Sequence, residues 1–153
     1  MAVSLRRAGG WNGGVSQSKF TLSFTLSYTG TPKPPKEEHQ SSGVLTSPNF
    51  GKGPYLNNLN FQQTIQVDKG KTIKIHFTDF RIEASPDPEY RERDWVMITD
   101  GDGSTLADIC PWPGFNERNI EDIVSKTDTI TVLFHTDNSV NNFDGWRLVW
   151  GEC

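Results

Sequence analysis

Short alternating segments separated by turn residues constrain the fold of this 153-residue chain more than any other feature. Apolar side chains recur at every second position in residues 61–67, 72–77, 128–135 and 145–150. A period of two gives a β-strand one apolar face, whereas an amphipathic helix needs a repeat near 3.6 residues. The sequence shows no convincing helical period, and these strands recur about every ten residues. We therefore predict an all-β fold, an antiparallel β-sandwich.

One of the predicted strands differs from the others because it is apolar on both faces. This strand covers residues 94–99, and such a pattern is typical of an inner strand of a sheet. The residues that follow, Asp100-Gly-Asp-Gly103, predict a tight hairpin. The same residues are similar to the start of an EF-hand calcium loop, but the position that needs a glutamate holds Pro111. The hairpin is the preferred interpretation.

The first 40 residues are predicted to form a separate segment, and the main domain to run over residues 41–153. Apolar and small polar residues alternate strictly over residues 19–28, which predicts a strand. Residues 31–38 are rich in proline and predict an extended linker. The predicted strand either adds an edge to the main domain or belongs to a neighbouring domain, and the sequence leaves both arrangements open.

Composition excludes some classes of partner. The formal net charge of −4 argues against binding to a nucleic-acid backbone. The longest apolar runs fall well short of the roughly 18 residues that span a bilayer, so we predict no membrane span. The basic N-terminus is not followed by an apolar stretch, so it does not resemble a secretory leader. The chain is then either cytosolic or made with a leader that is absent from this sequence.

The two cysteines and the polar residues give little sign of catalysis. Cys110 and Cys153 allow one intrachain bridge or two thiols, and the sequence leaves both open. The chain has no Gly-x-Ser-x-Gly motif of the kind that presents a serine nucleophile. Glu83 and Asp94 can be read as a glycosidase pair, but metal ligation is the simpler reading. We predict that this chain is not an enzyme.

Four motifs, in order and with intact spacing, resemble the CUB domain. The first is a Gly followed by a Ser-Pro-Asn-aromatic turn and an Asn-rich stretch, and the last is a Phe-x-x-Asp-x-Ser segment followed by Gly-Trp. The resemblance covers about 110 residues and implies a jelly-roll-like β-sandwich. The motifs occupy residues 43–50 with 55–60, 77–83, 94–101 and 132–146.

The resemblance is incomplete at the cysteines. The family usually has two disulfides, but Phe61 stands at the second cysteine position and no cysteine lies near Arg91, where the third is expected. Cys110 lies near the fourth position and therefore lacks its usual partner. The resemblance implies an extracellular or secreted protein, while the scarcity of cysteines leaves a cytoplasmic location open.

The resemblance also implies a calcium site. A subset of CUB domains binds Ca²⁺ through three carboxylates, and the matching residues here are Glu83, Asp94 and Asp137. Three converging carboxylates repel one another unless a hard cation neutralises them, and Ca²⁺ takes six to eight oxygen ligands. Backbone carbonyl groups of residues 138–140 (Asn138, Ser139 and Val140) are expected to contribute. A tyrosine that supports this site in the family falls at Ser42, so this support is predicted to be missing.

In calcium-binding CUB domains the metal orders the end loops, and a Lys or Arg of a partner protein pairs with the acidic oxygens. The resemblance thus implies a non-catalytic interaction module, although the parent protein can be a protease or another enzyme. The alternative is a carbohydrate-binding module that uses exposed aromatic residues such as Tyr90 and Trp112. The residues predicted to contact a partner are Glu83, Asp94, Asp137, Asn141, Tyr90 and Trp112.

Overall fold

The structure is a computed structural model that describes residues 39–86, 93–139 and 142–153. Over these residues it is an all-β sandwich with one short 3₁₀ turn, which confirms the predicted fold class. The predicted N-terminal strand at residues 19–28 and the proline-rich linker lie outside the described residues. No helix in the described part of the chain is long and apolar enough to cross a bilayer. The strands are β1 (Ser42–Thr46), β2 (Asn60–Gln66), β3 (Ile73–Arg81), β4 (Trp95–Asp100), β5 (Thr105–Ile109), β6 (Ile123–Val124), β7 (Thr129–His135) and β8 (Gly145–Glu152), and the 3₁₀ turn is Glu117–Asn119.

The strands form two four-stranded sheets in which all neighbours are antiparallel. One sheet has the order β1-β8-β3-β6, and the other has the order β2-β7-β4-β5. Strand β4 lies between β7 and β5, which confirms the inner position predicted from its two apolar faces. The residues between β4 and β5 form the predicted hairpin turn, where Gly103 has a φ of 84°.

The core consists of the apolar faces predicted from the alternating segments. Its centre is the indole of Trp146, which is fully buried. Aromatic rings of both sheets meet it edge to face, with centroid distances of 6.0 Å from Phe61, 6.2 Å from Phe77 and 5.9 Å from Phe134. Such edge contacts between rings add stability beyond the area that they bury. The core therefore holds the two sheets together through side-chain packing.

One glycine in the core is required by close backbone packing. Gly145 begins β8 with a φ of 93°, and a Cβ placed there would lie 2.0 Å from Oγ of Ser47. The hydroxyl of Ser47 accepts a hydrogen bond of 3.0 Å from the backbone N–H of Trp146. Only glycine combines the positive φ with the space that this contact needs.

No covalent bond reinforces the sandwich at its two cysteines. Cys110 is half-buried and Cys153 is exposed, and no disulfide joins them. Of the two arrangements left open by the sequence, the structure therefore contains the two thiols. Instead, Cys153 is held by its backbone, which exchanges hydrogen bonds with Thr72 at 2.8 and 3.3 Å.

Candidate metal centre

Three acidic residues meet at one end of the sandwich because each lies at the end of a strand. Glu83 lies two residues after β3, Asp94 directly precedes β4, and Asp137 lies two residues after β7. Since β4 and β7 are antiparallel neighbours, the start of β4 and the end of β7 lie at the same end of the sheet. The architecture therefore brings together side chains that are up to 54 positions apart in the sequence, the separation of Glu83 and Asp137 (137 − 83).

The three carboxylates lie close together, and two of them are buried. Each offers one oxygen, and these oxygens all lie within 4.8 Å of one another. Asp94 is 1% exposed and Glu83 is 8% exposed, while Asp137 is half-buried. Like charges at this separation repel, and burial strengthens the repulsion because less water screens it. We refer to Glu83, Asp94 and Asp137 as the acidic cluster.

A buried tyrosine supports the acidic cluster from below. The hydroxyl of Tyr55 donates a short hydrogen bond to Asp94 and accepts one of 2.9 Å from the backbone N–H of Glu83. The prediction that this support is missing was therefore wrong. Ser42, where the tyrosine was expected, lies on β1 opposite Gly151. The prediction looked for the tyrosine at the wrong position. Tyr55 lies in a loop whose path through the core is not apparent from the sequence.

The loop after β7 is tied to the cluster by its own backbone and by one hydroxyl. The backbone N–H of Asp137 donates to Asp94 at 3.0 Å, and the N–H of Ser139 donates to Asp137 at 2.7 Å. The Ser139 hydroxyl lies 2.9 Å from both carboxylate oxygens of Asp137 and 3.2 Å from Glu83. Since a hydroxyl has a single proton, it donates to one of these oxygens at a time.

Arg93 places a positive charge in the acidic cluster, which the sequence analysis did not foresee. Its Nη1 atom donates to Glu83 at 3.0 Å and lies 3.4 Å from Asp137. The same nitrogen donates a short hydrogen bond to the hydroxyl of Ser139. No periodic signal in the sequence marks Arg93, because the sequence of residues 85–93 is charged, contains proline and has no alternating pattern.

The acidic cluster is strained electrostatically even with Arg93 in place. Burial raises the pKa of Asp94 above its usual value, and the charge of Asp137 raises it further, against the hydrogen bond from Tyr55. Burial likewise raises the pKa of Glu83; the charge of Arg93 opposes this rise and that of Asp137 adds to it. The pKa of Tyr55 is raised by burial and by its hydrogen bond to Asp94. In each case burial is the largest cause, so these directions show that the site disfavours the charged forms of Glu83 and Asp94.

The ligand atoms of the cluster suit a hard cation. The site presents three carboxylates and a hydroxyl, and it contains neither a histidine nor a cysteine. Oxygen donors of this kind favour Ca²⁺ or Mg²⁺ over zinc or copper. Ca²⁺ bonds of 2.3–2.6 Å fit oxygens that are separated by up to about 5 Å. The residues present therefore fit the calcium ion predicted for this site.

The remaining predicted site residues fall into two groups. Asn138 is exposed and Ser139 is half-buried, and both lie in the loop beside the cluster. Tyr90, Val140 and Asn141 lie outside the described residues, so their predicted roles stay predictions. Ser139 contacts Asp137 through its N–H and its hydroxyl, and the predicted ligation through the carbonyl groups of Asn138 and Ser139 stays a prediction.

Trp112 and Phe115 lie in a loop near the cluster and behave differently. The N–H of Ser85 donates to the carbonyl of Pro111 at 2.7 Å, which ties this loop to the residues that follow Glu83. Phe115 packs against the core, with its ring centroid 6.0 Å from that of Phe80. Trp112 is 48% exposed and meets Phe115 edge to face. Trp112 is thus exposed, and its predicted role in binding a partner stays a prediction.

A third buried carboxylate, Asp100, lies at the other end of β4 and has a different environment. Asp100 is 4% exposed and accepts hydrogen bonds from the N–H groups of Gly101 at 2.8 Å, Lys126 at 2.6 Å and Thr127 at 3.2 Å. The hydroxyl of Thr127 also donates to it. Burial alone would raise the pKa of Asp100, but these hydrogen bonds outweigh burial and lower it. Asp100 therefore ties the hairpin to the turn before β7 and is not part of a cation site.

Comparison with known proteins agrees with the fold and the motifs. The family model for the CUB domain matches residues 35–150. This chain belongs to the CUB family. CUB domains are extracellular protein-interaction modules and are themselves not catalytic.

Individual relatives of this CUB domain are larger proteins. Human mannan-binding lectin serine protease 1 is 34% identical over 119 residues, which cover 74% of this chain and 16% of the protease. Rat cubilin is 27% identical over 117 residues, which cover 74% of this chain and 3% of cubilin. The crystal structure of the MASP-1 CUB2 domain bound to Ca²⁺ is similar, with a TM-score of 0.62 and 29% identity over 74% of this chain and 95% of that chain. The chain thus spans a small part of the curated relatives that it matches.

Proposed function

We propose that this CUB domain binds one Ca²⁺ ion through Glu83, Asp94 and Asp137. The observation that carries the proposal is the convergence of three carboxylates, two of them buried, within 4.8 Å. Burying several like charges is unfavourable unless a cation compensates them, and a divalent ion compensates more charge than one side chain. The similarity to a CUB2 domain that was crystallised with Ca²⁺ supports this choice of ion.

The rest of the coordination shell would come from the loop after β7. Backbone carbonyl groups of residues 138–140 (Asn138, Ser139 and Val140) and water molecules would complete the six to eight oxygens that Ca²⁺ prefers. The loop is held against the cluster by hydrogen bonds from Asp137 and Ser139. An ion bound here would therefore also order the loop.

The ordered end of the sandwich would bind a basic side chain of an extracellular partner protein. Three carboxylates and one Ca²⁺ leave one net negative charge, and a Lys or Arg can pair with it. Charge-assisted hydrogen bonds to carboxylates are stronger than neutral ones, and long-range attraction speeds association. The contacting residues would be Glu83, Asp94 and Asp137, with Tyr90, Trp112 and Asn141 around them.

Thermal unfolding in millimolar Ca²⁺ and in excess chelator tests the metal site. A ligand that binds only the folded state at about ten times its Kd adds about 1.4 kcal/mol, so the Tm should rise by several degrees. The Asp137→Asn variant should lose this increment, because it keeps the shape of the side chain and removes one charged ligand. Equal Tm values for the unmodified chain in the two solutions would contradict the proposal.

The matched control is Asp144→Asn. Asp144 is an exposed carboxylate near the same end of the sandwich, and its ion pair with Arg81 is long, at 3.9 Å. This variant makes the same change of charge outside the acidic cluster. It should keep the full calcium increment, whereas a similar loss in both variants would point to a general effect of charge.

Binding of a basic side chain is testable by NMR with a small probe. Titration with Nα-acetyl-lysine methylamide should shift the backbone amide signals of Asp137 and Ser139 in Ca²⁺ and not in chelator. The acetylated side-chain form of the same probe is the matched control, since it lacks the positive charge. Shifts that persist with the uncharged probe, or that are absent in Ca²⁺, would contradict this mode of binding.

The carbohydrate-binding alternative predicts a different outcome. It requires stacking of a sugar on an exposed aromatic residue such as Trp112, and the binding would be insensitive to salt. The acidic cluster favours the protein-binding proposal, because a cation pair explains its charge and a sugar does not. A glycan array whose signal depends on Trp112 would favour the alternative.

The proposed location is extracellular. The matched relatives are extracellular or secreted proteins, and none supports the cytoplasmic alternative that the few cysteines suggested. The millimolar Ca²⁺ outside cells also suits a site of the affinity that extracellular modules have, on the order of 10⁻⁴–10⁻³ M.

A further inference from the structure

A recess lies beside the acidic cluster, and the residues on either side of Glu83 in the chain are part of its wall. Ile82 and Ala84 line this recess, whose volume is about 450 Å³. Phe143 also lines it, and the carbonyl of Phe143 accepts a hydrogen bond of 3.2 Å from the backbone N–H of Tyr55. Since the hydroxyl of Tyr55 accepts a hydrogen bond from the N–H of Glu83, the recess and the proposed calcium site belong to one connected part of the fold.

The interior of the recess is apolar and mostly aromatic. Phe80 and Ile82 are 3% and 5% exposed, and the rings of Phe115, Phe143 and Trp112 also line the recess. The centroid of the Phe115 ring lies 6.0 Å from that of Phe80 and 5.2 Å from that of Trp112. Contacts between aromatic rings are favourable beyond the area that they bury, so the recess suits a large apolar side chain. Its volume falls within the range of sites that take small ligands.

The exposed ring of Trp112 is presented by a tight turn. The backbone N–H of Phe115 donates to the carbonyl of Trp112 at 2.8 Å, with Pro113 and Gly114 between them. Gly114 has a φ of 94°, and a proline followed by a glycine with positive φ is the pattern of a type II turn. Because the proline ring fixes a backbone angle, the turn loses little freedom when a partner binds. Trp112 is therefore a preformed wall of the recess.

The charges around the recess have the same sign as those of the acidic cluster. Among the described residues, its charged lining consists of Arg81, Glu117 and Asp144, which adds one net negative charge. The pair of Arg81 and Asp144 is long, at 3.9 Å, and exposed, so it holds these two side chains only weakly. The cluster and the recess together form an acidic surface with an apolar interior. The complement of such a surface is a basic segment that carries an apolar side chain.

We propose that the recess takes a large apolar side chain of the partner protein, located within a few residues of the Lys or Arg that binds the acidic cluster. This inference rests on the proposed function and adds the second half of the motif that the domain recognises. The basic residue supplies attraction and orientation, and the apolar side chain removes the rings of the recess from water. Aromatic anchors in well-packed pockets are common at the centres of protein interfaces.

Peptide pairs that differ at one side chain test the proposal. Each is an acetylated peptide amide with one lysine, none to three glycines and one phenylalanine, in either order, and its partner has alanine in place of the phenylalanine. In saturating Ca²⁺, titration followed by NMR should give the best phenylalanine peptide a Kd about tenfold lower than that of its alanine partner, because burial of the ring removes a large apolar area from water. Equal Kd values in every pair would overturn the proposal.

Variants of two exposed apolar residues locate the phenylalanine ring of the peptide. Trp112→Ala should reduce the tenfold ratio within the best pair to nearly one, because it removes a wall of the recess, and a ratio that persists would contradict the proposal. The control is Val124→Ala, since Val124 is 51% exposed and lines a neighbouring groove that Trp112 also borders. This control should keep the ratio. Its loss in Val124→Ala would place the ring in the neighbouring groove and overturn the proposal.

The unmodified chain gives a direct check and separates this inference from the proposed function. Nuclear Overhauser contacts are expected between the phenylalanine ring of the best peptide and the side chains of Ile82 and Trp112, and contacts elsewhere on the domain would overturn the proposal. Calcium-dependent binding that needs the lysine but gains nothing from the phenylalanine would refute this inference alone. No binding of any peptide in Ca²⁺ would refute the proposed docking of a basic side chain, and this inference with it.

Discussion

The two ends of strand β4 each hold a buried aspartate, and the pKa values of the two aspartates are shifted in opposite directions. Asp100 accepts hydrogen bonds from three backbone N–H groups and one hydroxyl, and its pKa is lowered. Asp94 accepts hydrogen bonds from Tyr55 and from the N–H of Asp137, has two further carboxylates as neighbours, and its pKa is raised. Both aspartates are nearly inaccessible to solvent, at 1% and 4% exposed, although Asp94 lies deeper in the protein. Low exposure alone therefore does not identify a cation site.

The difference lies in where the compensating positive charge comes from. At Asp100 the chain supplies enough N–H groups to satisfy one carboxylate, which needs no ion. At the acidic cluster three carboxylates share few donors, and the nearby positive charge is a partly exposed side chain, that of Arg93. A buried acid surrounded by N–H groups is therefore structural, whereas buried acids that face one another predict a bound cation.

Removing the carboxylate at the structural end should have the largest effect on stability. Asp100→Ala leaves the N–H groups of Gly101, Lys126 and Thr127 without their acceptor in a buried place. We expect the free energy of unfolding to fall by about 3 kcal/mol, by the same amount in Ca²⁺ and in chelator. Urea denaturation in both solutions measures this loss.

Asp102→Ala is the control for that experiment, because Asp102 lies in the same hairpin, is exposed and accepts a hydrogen bond from Ser104. Its loss should be clearly smaller. If Asp100→Ala also removed the calcium increment, the two ends of β4 would not be independent and the comparison would fail.

Removing the tyrosine hydroxyl should have an intermediate effect at the other end. Tyr55→Phe keeps the ring and its edge contact with Phe134 but deprives Asp94 of a donor and the buried N–H of Glu83 of its acceptor. We expect a loss of about 1.5 kcal/mol in chelator and weaker calcium binding. Urea denaturation and calorimetry measure the two quantities.

The double variant Tyr55→Phe/Asp94→Asn shows whether the hydroxyl acts through Asp94. Its loss of stability should be smaller than the sum of the two single losses, because both changes disrupt the same hydrogen bond. Additive losses would mean that Tyr55 contributes by packing alone.

Lowering the pH should have the smallest effect on the free energy of unfolding, and the effects through Asp100 and Asp94 should have opposite signs. The pKa of Asp100 is lowered on folding, so its contribution is complete above pH ~4 and is lost as the pH falls through its folded pKa. In chelator, the difference in unfolding free energy between the unmodified chain and Asp100→Asn should therefore shrink on acidification to pH ~3.

Asp94→Asn supplies the contrast. The pKa of Asp94 is raised on folding, so the folded chain takes up a proton before the unfolded chain does, and acid favours it. As the pH falls, the free energy of unfolding of the unmodified chain should therefore rise relative to that of Asp94→Asn. The same sign for both variants would remove the distinction between the two ends.

The sequence predicted those features that depend on local pattern. Alternation in residues 128–135 identified β7, whose Ile130, Val132 and Phe134 are buried, and two apolar faces identified β4 as an inner strand. The three acids of the cluster followed from the resemblance to calcium-binding CUB domains, and the structure shows that they lie at strand ends. Antiparallel pairing places the ends of β4 and β7 together, which explains why acids that are far apart in the sequence are close in space.

Contacts between distant side chains were not predictable in this way. Tyr55 reaches Asp94 across 39 positions, and its path depends on how the loop before β2 crosses the core. Arg93 points into the cluster because of charge and not because of periodicity. The sequence pointed to the carbonyl group of Ser139 as a metal ligand, and it gave no sign that the hydroxyl of Ser139 contacts Asp137 and Glu83. Side-chain direction in loops depends on tertiary surroundings that no local pattern encodes.

The close approach at Gly145 limits how this gene can vary. Every single-nucleotide change in a glycine codon that alters the amino acid introduces a residue with a Cβ or ends the protein. Each such residue would collide with the Ser47 hydroxyl at the beginning of the final strand. Missense changes in this codon should therefore destabilise the domain, whereas changes in the codon of the exposed Asp144 beside it should be tolerated.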